Sequence, residues 1–156
     1  TGHLVFSTLH TNSAVATLSR LFDLGLKPYV VATAIEGIIA QRLVRKICEH
    51  CREADTPAPE LLQRLGPLFA QGGITAYKGK GCSHCHGNGY SGRIGLYEVL
   101  SFNDQMRHLI SNDATIMEIT NYAREMGAST LIGDGRDKVN RGMTTLEELL
   151  RVLGPQ

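Results

Sequence analysis

Leu4-Val5-Phe6-Ser7-Thr8-Leu9, closed by His10, is a near-continuous apolar and β-branched run. Such a run suits a strand buried on both faces, as in a parallel sheet, and so points to an α/β fold. Immediately after it, His10-Thr11-Asn12-Ser13 offers turn and N-cap chemistry for a helix. Val15, Leu18, Leu21 and Phe22 recur at helical spacing, and Gly25 stands where a C-cap belongs. Pro28 fits the first turn of a second helix, expected to end at Gly37. Residues 38–47 then read as a second strand.

The 156 residues are 42% hydrophobic and 20% charged, with a formal net charge of +1. That is enough apolar material for a real core. The near-zero charge argues against a dedicated nucleic-acid binder. No run reaches the roughly 18 apolar residues of a membrane span, so no direct membrane insertion is expected. There is no visible signal peptide and the first residue is Thr. The chain is therefore expected to be an excised piece of a cytoplasmic protein, in a compartment where cysteines hold metal rather than disulfides.

Cysteine, proline and glycine set apart residues 48–92. Cys48-Glu49-His50-Cys51 opens this region, and Cys82-Ser83-His84-Cys85-His86-Gly87-Asn88-Gly89 closes it. Two residues between cysteines let both thiolates of one knuckle reach the same ion, and two knuckles complete a tetrahedral shell. Cys48, Cys51, Cys82 and Cys85 are thus the candidate ligands of a structural Zn²⁺. The 30 residues between Cys51 and Cys82 exceed the 15–20 of an ordinary zinc ribbon. Because loop closure grows only logarithmically, the excess costs roughly 0.5 kcal/mol. Disulfides, thiol redox chemistry and c-type haem attachment at Cys82–His86 compete with zinc. Compartment, the missing thioredoxin-like setting and the two stranded cysteines count against them. His50, His84 and His86 are set outside the ligand set, as exposed positions or donors to the thiolates. Gly87, Gly89 and Gly92 permit a tight backbone after the second knuckle. Residues 82–89 also match one copy of the C-x-x-C-x-G-x-G unit that the heat-shock-40 chaperone zinc domain repeats four times.

Between the knuckles, Leu61, Leu62, Leu65 and Phe69 mark a short amphipathic helix, and residues 74–77 a possible strand. The third region, 93–156, is mainly helical after a short strand at 94–100. Helices are expected at 104–111, 115–126, 130–141 and 145–153. Thr115 with Glu118, and Thr145 with Glu148, form capping-box patterns.

His3 and His10 flank the first run. Ligands gather at the carboxyl ends of strands in open α/β sheets, which would place His10 near a phosphate. Spacing alone equally allows two histidines that merely cap a buried strand.

Thr1-Gly2-His3-Leu4-Val5-Phe6-Ser7-Thr8-Leu9-His10-Thr11-Asn12 closely resembles the His box of the secretion ATPase superfamily. Members include the type II secretion protein E, the type IV pilus extension ATPases and, more distantly, the retraction ATPases. Gln41-Arg42-Leu43-Val44-Arg45-Lys46-Ile47-Cys48 and Gly92-Arg93-Ile94-Gly95-Leu96-Tyr97-Glu98 resemble two further signatures, and so do Asp134-Gly135-Arg136-Asp137-Lys138-Val139 and Gly142-Met143-Thr144-Thr145-Leu146-Glu147-Glu148. The resemblance covers essentially the whole chain.

The resemblance implies the C-terminal part of a RecA-like P-loop ATPase core at 1–47, a tetracysteine zinc subdomain at 48–92 and a C-terminal helical bundle at 93–156. It makes His3 and His10 the His-box histidines, with His10 the candidate nucleotide sensor. It further implies a hexameric ring that turns over ATP with Mg²⁺ and drives inner-membrane platform proteins to assemble a pilus or pseudopilus. No G-x-x-x-x-G-K-[ST] occurs, so the chain lacks a loop to cradle the β- and γ-phosphates. Arg42, Arg45, Lys46 and Arg52 concentrate charge beside the first knuckle, as a solvated face or as a contact with neighbouring subunits or phosphates; Arg93 invites the same question. A free-standing zinc-ribbon interaction module is the alternative reading of the chain.

Overall fold

The structure is a computed structural model that describes residues 2–156. The elements run α1 (Ala14–Asp23), α2 (Pro28–Ala34), β1 (Gly37–Ile47), β2 (Arg52–Asp55), α3 (Pro59–Arg64), α4 (Pro67–Ala70), β3 (Ala76–Gly79), β4 (Tyr90–Ser101), α5 (Asp104–Ser111), α6 (Ile116–Glu125), α7 (Leu131–Asn140) and α8 (Leu146–Leu153). Strands β1 and β4 pair in one sheet, and β2 and β3 in another. The chain is a mixed α/β protein of two compact units, Thr1–Ala40 with Glu98–Ala128 and Gln41–Tyr97 with Ser129–Gln156.

The first unit is cored by Leu18 of α1, Val31 and Ala32 of α2, Met106 and Ile110 of α5, and Ile119 of α6. Ser13 caps α1 by accepting the Ala16 N–H, and Pro28 occupies the first turn of α2. Gly25 lies beyond the end of α1 at φ +86°, as its position anticipates. Helix α2 stops at Ala34, three residues before Gly37. Arg107 of α5 donates to the carbonyls of Ala32 and Ile35 and pairs with Glu36, so a side chain takes the place of a glycine cap. Thr115 and Glu118 form both halves of their capping box.

Residues 4–9 overturn the expectation of a buried strand. They belong to no strand, and Leu4 is 71% and Phe6 88% exposed. A strand needs neighbours to take its N–H and C=O groups, and no described residue pairs with this run.

In the second unit Val44 of β1, Leu96 of β4, Leu65, Phe69 of α4, Val139 of α7 and Leu149 of α8 form the core. The amphipathic segment after the first knuckle is two short helices, because Gly66 at φ +90° and Pro67 break it. Strand β2 was not anticipated from its charged sequence; it pairs antiparallel with β3, Arg52 opposite Gly79 through Asp55 opposite Ala76. Lys78 on β3 bonds Asp55 at 3.0 Å across that ladder.

The second expected capping box is only half formed. Thr145 accepts the Glu148 N–H at 3.2 Å, but the Glu148 carboxylate does not return to Thr145. It is 1% exposed and accepts the Arg45 backbone N–H and the Arg45 and Arg151 guanidiniums, all at 2.7–2.8 Å. Tertiary charge pairing has overridden the local motif. Burial opposes the charge of Glu148, yet the hydrogen bonds from Arg151 and Arg45 outweigh it and hold the carboxyl down at about 2. Arg45 also stacks on Tyr90, its guanidinium carbon 4.1 Å from the ring centre.

Candidate metal centre

The first knuckle hangs from the end of β1, and the second is a single 3₁₀ turn, Ser83–Cys85, leading into β4. Strand pairing between β2 and β3 brings them together: Lys80, just past β3, donates its N–H to the Cys51 carbonyl at 2.9 Å. Cys48 in turn donates to the Gly89 carbonyl at 2.9 Å. The long insertion is thereby folded back so that the two knuckles face one another.

The Sγ atoms of Cys48, Cys51, Cys82 and Cys85 all lie within 4.8 Å of one another. Cys48–Cys82 is 3.9 Å, Cys51–Cys85 3.8 Å and Cys82–Cys85 3.8 Å. A tetrahedron with Zn–S bonds of about 2.3 Å requires sulfur separations of about 3.8 Å. Disulfides require about 2.05 Å, and all four thiols are free. The donor set is closed and all sulfur, which fits a structural metal with no open position for substrate.

Backbone amides surround the sulfurs. Gly81 N–H donates to Cys51 Sγ at 3.3 Å, and Cys82 and Gly89 N–H donate to Cys85 Sγ at 3.2 and 3.3 Å. At Cys85 burial pushes the thiol up, but these two donors, together with the neighbouring Cys82 and Cys51 thiols, outweigh it and bring it down to about 6. At Cys51 burial dominates over the Gly81 amide and the thiol is pushed up to about 12. Such amide donors stabilise thiolate charge and orient the ligands.

Glycines make the approach possible. A Cβ on Gly79 would sit 2.0 Å from the Gly89 carbonyl oxygen, and one on Gly81 would sit 2.6 Å from that of Gly87. Gly79 and Gly81 escaped the sequence reading, although the Gly79-Lys80-Gly81 just before Cys82 repeats the Gly-x-Gly pattern of Gly87 and Gly89 after Cys85. His50 and His84 stack on each other, ring centres 3.8 Å apart and 14° from parallel. Neither they nor His86 joins the sulfur cluster.

His3 and His10 lie in the exposed segment before α1. The loop after His10 is fastened on three sides. Thr11 and Thr17 hydroxyls meet at 2.7 Å, Ser13 caps α1, and the Glu98 carboxylate accepts the Ala14 N–H at 2.7 Å. The basic residues near the first knuckle are engaged: Lys46 with Glu49 at 2.6 Å, Arg52 with the Gly142 carbonyl at 3.4 Å, and Arg45 with Glu148.

A family model described as type II/IV secretion system protein matches residues 1–151. The chain belongs to that family. It is 46% identical over 151 residues to the type IV pilus assembly ATPase PilB of Thermus thermophilus, covering 96% of this chain and 17% of that protein. To the type II secretion system protein E of Pseudomonas aeruginosa it is 46% identical over 155 residues, 97% of this chain and 30% of that protein. The type II secretion system ATPase E of Vibrio cholerae is 39% identical over 152 residues, with coverages of 97% and 30%. The chain thus spans less than a third of the length of these relatives. Family membership implies a P-loop ATPase domain, and two pairs of the segments resembling family signatures, 41–48 with 142–148 and 92–98 with 134–139, meet in space. Glu98 binds the helix behind the His box, Arg45 binds Glu148, and the Tyr97 N–H donates to Asp134 at 2.8 Å.

Proposed function

We propose that this chain is the C-terminal portion of a hexameric cytoplasmic motor ATPase that couples ATP hydrolysis to assembly of a type II secretion pseudopilus or a type IV pilus. In this reading residues 1–47 complete a RecA-like core, 48–92 form a zinc subdomain, and 93–156 a helical subdomain. The observation that carries it is the family match over residues 1–151, within which the four cysteines converge. A free-standing zinc ribbon would account for 48–92 alone and leaves the rest of that match without a purpose.

Cys48, Cys51, Cys82 and Cys85 hold one structural Zn²⁺, which closes the knuckles. The chain's own contribution is the set of backbone donors at Gly81, Cys82 and Gly89, which favours thiolates. His10, with His3, senses the nucleotide that a phosphate loop elsewhere in the parent holds together with Mg²⁺. The segment 14–23, tied to Glu98, carries that signal into the core. Inner-membrane platform proteins receive the motion, and neither nucleic acid nor direct membrane insertion is involved. No helix among the described residues is long and apolar enough to cross a membrane.

Elemental analysis of the purified chain is expected to give about one zinc per molecule. The chain alone is expected not to turn over ATP, since positioning of the phosphates supplies most of phosphoryl-transfer catalysis. In the parent, His10→Ala is expected to abolish coupling while leaving zinc content intact. ATP turnover by the isolated chain at the parent's rate overturns this reading.

A further inference from the structure

Asn88-Gly89 is the sequence's one Asn-Gly pair, and it stands inside the second knuckle. The side-chain amide of an asparagine followed by glycine is especially prone to deamidation, because glycine has no Cβ to keep its nitrogen away from the asparagine side chain. We infer that Asn88 is a site of spontaneous deamidation that the tetrathiol cluster holds in check, so that metal loss starts an irreversible chemical clock.

The lock is visible atom by atom. The attacking nucleophile would be the Gly89 nitrogen, but its N–H is donated to Cys85 Sγ at 3.3 Å in a buried position. The electrophile is the exposed Asn88 carboxamide, and its Oδ1 is held by the Tyr90 N–H at 2.7 Å. The Gly89 carbonyl is held by Cys48 N–H at 2.9 Å, and the Gly89 Cα is pressed against the Gly79 backbone. Reaction needs the Gly89 nitrogen to turn toward Cγ, which breaks the bond to sulfur and the packing on Gly79 together. With metal on the sulfurs the knuckle is stapled; without it, local opening frees the nitrogen.

Once free, the Gly89 nitrogen bonds to Asn88 Cγ and the Cγ–Nδ2 bond breaks, releasing ammonia that carries off the amide proton. Water then opens the cyclic imide at either carbonyl, giving aspartate or isoaspartate. The net change is amide plus water to acid plus ammonia, with no oxidant or reductant. Isoaspartate lengthens the main chain by one methylene between Cys85 and Gly89. That is where a Cβ on Gly89 would already lie 2.4 Å from the Gly79 oxygen, so the knuckle has no slack to absorb it. A transient loss of metal is thereby recorded as a permanent one.

This inference rests on the metal reading above, so the zinc content of the full chain is measured first. Zinc-loaded and chelated samples are then aged side by side at mildly alkaline pH, and the peptide containing Asn88 is scored for isoaspartate and amide-to-acid mass gain. The chelated sample is expected to deamidate roughly tenfold faster or more, the ratio set by local opening. After ageing, restored zinc is expected to re-enter chelated Asn88→Gln but not the chelated wild type. A chain that takes up no zinc at the outset overturns the metal reading and the gate with it. A zinc-loaded chain that deamidates as fast as the chelated one overturns the gate alone. That comparison needs no variant, so it decides the matter even if Asn88→Gln misfolds.

Discussion

Residues 4–9 and residues 80–89 both lie outside the strands and α-helices, yet they are held in opposite ways. The first is largely apolar and joins no strand, with Phe6 at the surface; the second is polar, rich in glycine and fixed atom by atom. An apolar run becomes a strand only when other strands take its backbone groups and cover its faces. A knuckle needs only four sulfurs and the amides that point at them, all supplied within this chain. Sequence motifs that carry their own partners are therefore complete here, and motifs that depend on distant partners are not.

Removing the metal is the largest expected perturbation. Structural zinc contributes roughly 10–16 kcal/mol in small modules. Chelation should strip amide-exchange protection from residues 48–92 while α5 and α6, cored by Met106, Ile110 and Ile119, keep theirs. Uniform protection before and after chelation would break the contrast. Next in size is Gly79→Ala, whose Cβ meets backbone at 2.0 Å and cannot be relieved by a rotamer change. It is expected to cost about 4 kcal/mol in zinc-saturated protein, read by thermal denaturation. Near-normal stability would show that the knuckles do not approach so closely.

Glu148 tests the same unit through charge instead of sulfur. Its carboxyl is depressed from 4.5 to about 2, so its contribution is full above pH 4.5 and is lost as pH falls toward 2. Half-exposed arginine partners discount the shift, leaving about 2–3 kcal/mol at neutral pH. Glu148→Gln is expected to lose that amount at pH 7 and to converge with wild type in acid. A gap that persists unchanged to low pH would show that packing, not charge, is what Glu148 supplies.

How far the sequence could be read follows from the range of each interaction. Helix starts at Ser13, Thr115, Thr130 and Thr145 rest on bonds spanning three residues, and the expected helices appear within a residue or two. The cysteine cluster was legible because C-x-x-C spacing encodes its own geometry. The Arg45–Glu148 pair was not, since 103 positions separate its members and Glu148 fits a local capping box equally well. Arg107 on the end of α2 and the charged strand β2 were hidden for the same reason. Each depends on a partner that only folding brings near. The exposed run at 4–9 is the converse case, an apolar pattern that suggested a buried strand and that no described residue pairs with or covers.

The smallest expected effect is therefore the most telling. Phe6→Ser should change the stability of this chain by no more than about 0.5 kcal/mol, because the ring is 88% exposed. The same substitution in a full-length family member, if residues 4–9 there lie in a sheet, should cost about 3–5 kcal/mol as a large-to-small core change. Denaturant midpoints of the two pairs, wild type and variant, give both numbers with one method. A loss above 1 kcal/mol in the isolated chain would mean that Phe6 already packs here, and the contrast with the knuckle would fall. A negligible loss in the full-length protein would mean that the His-box run is a surface segment in its own right. In its proposed role His10 would then reach nucleotide from a loop rather than from a strand end.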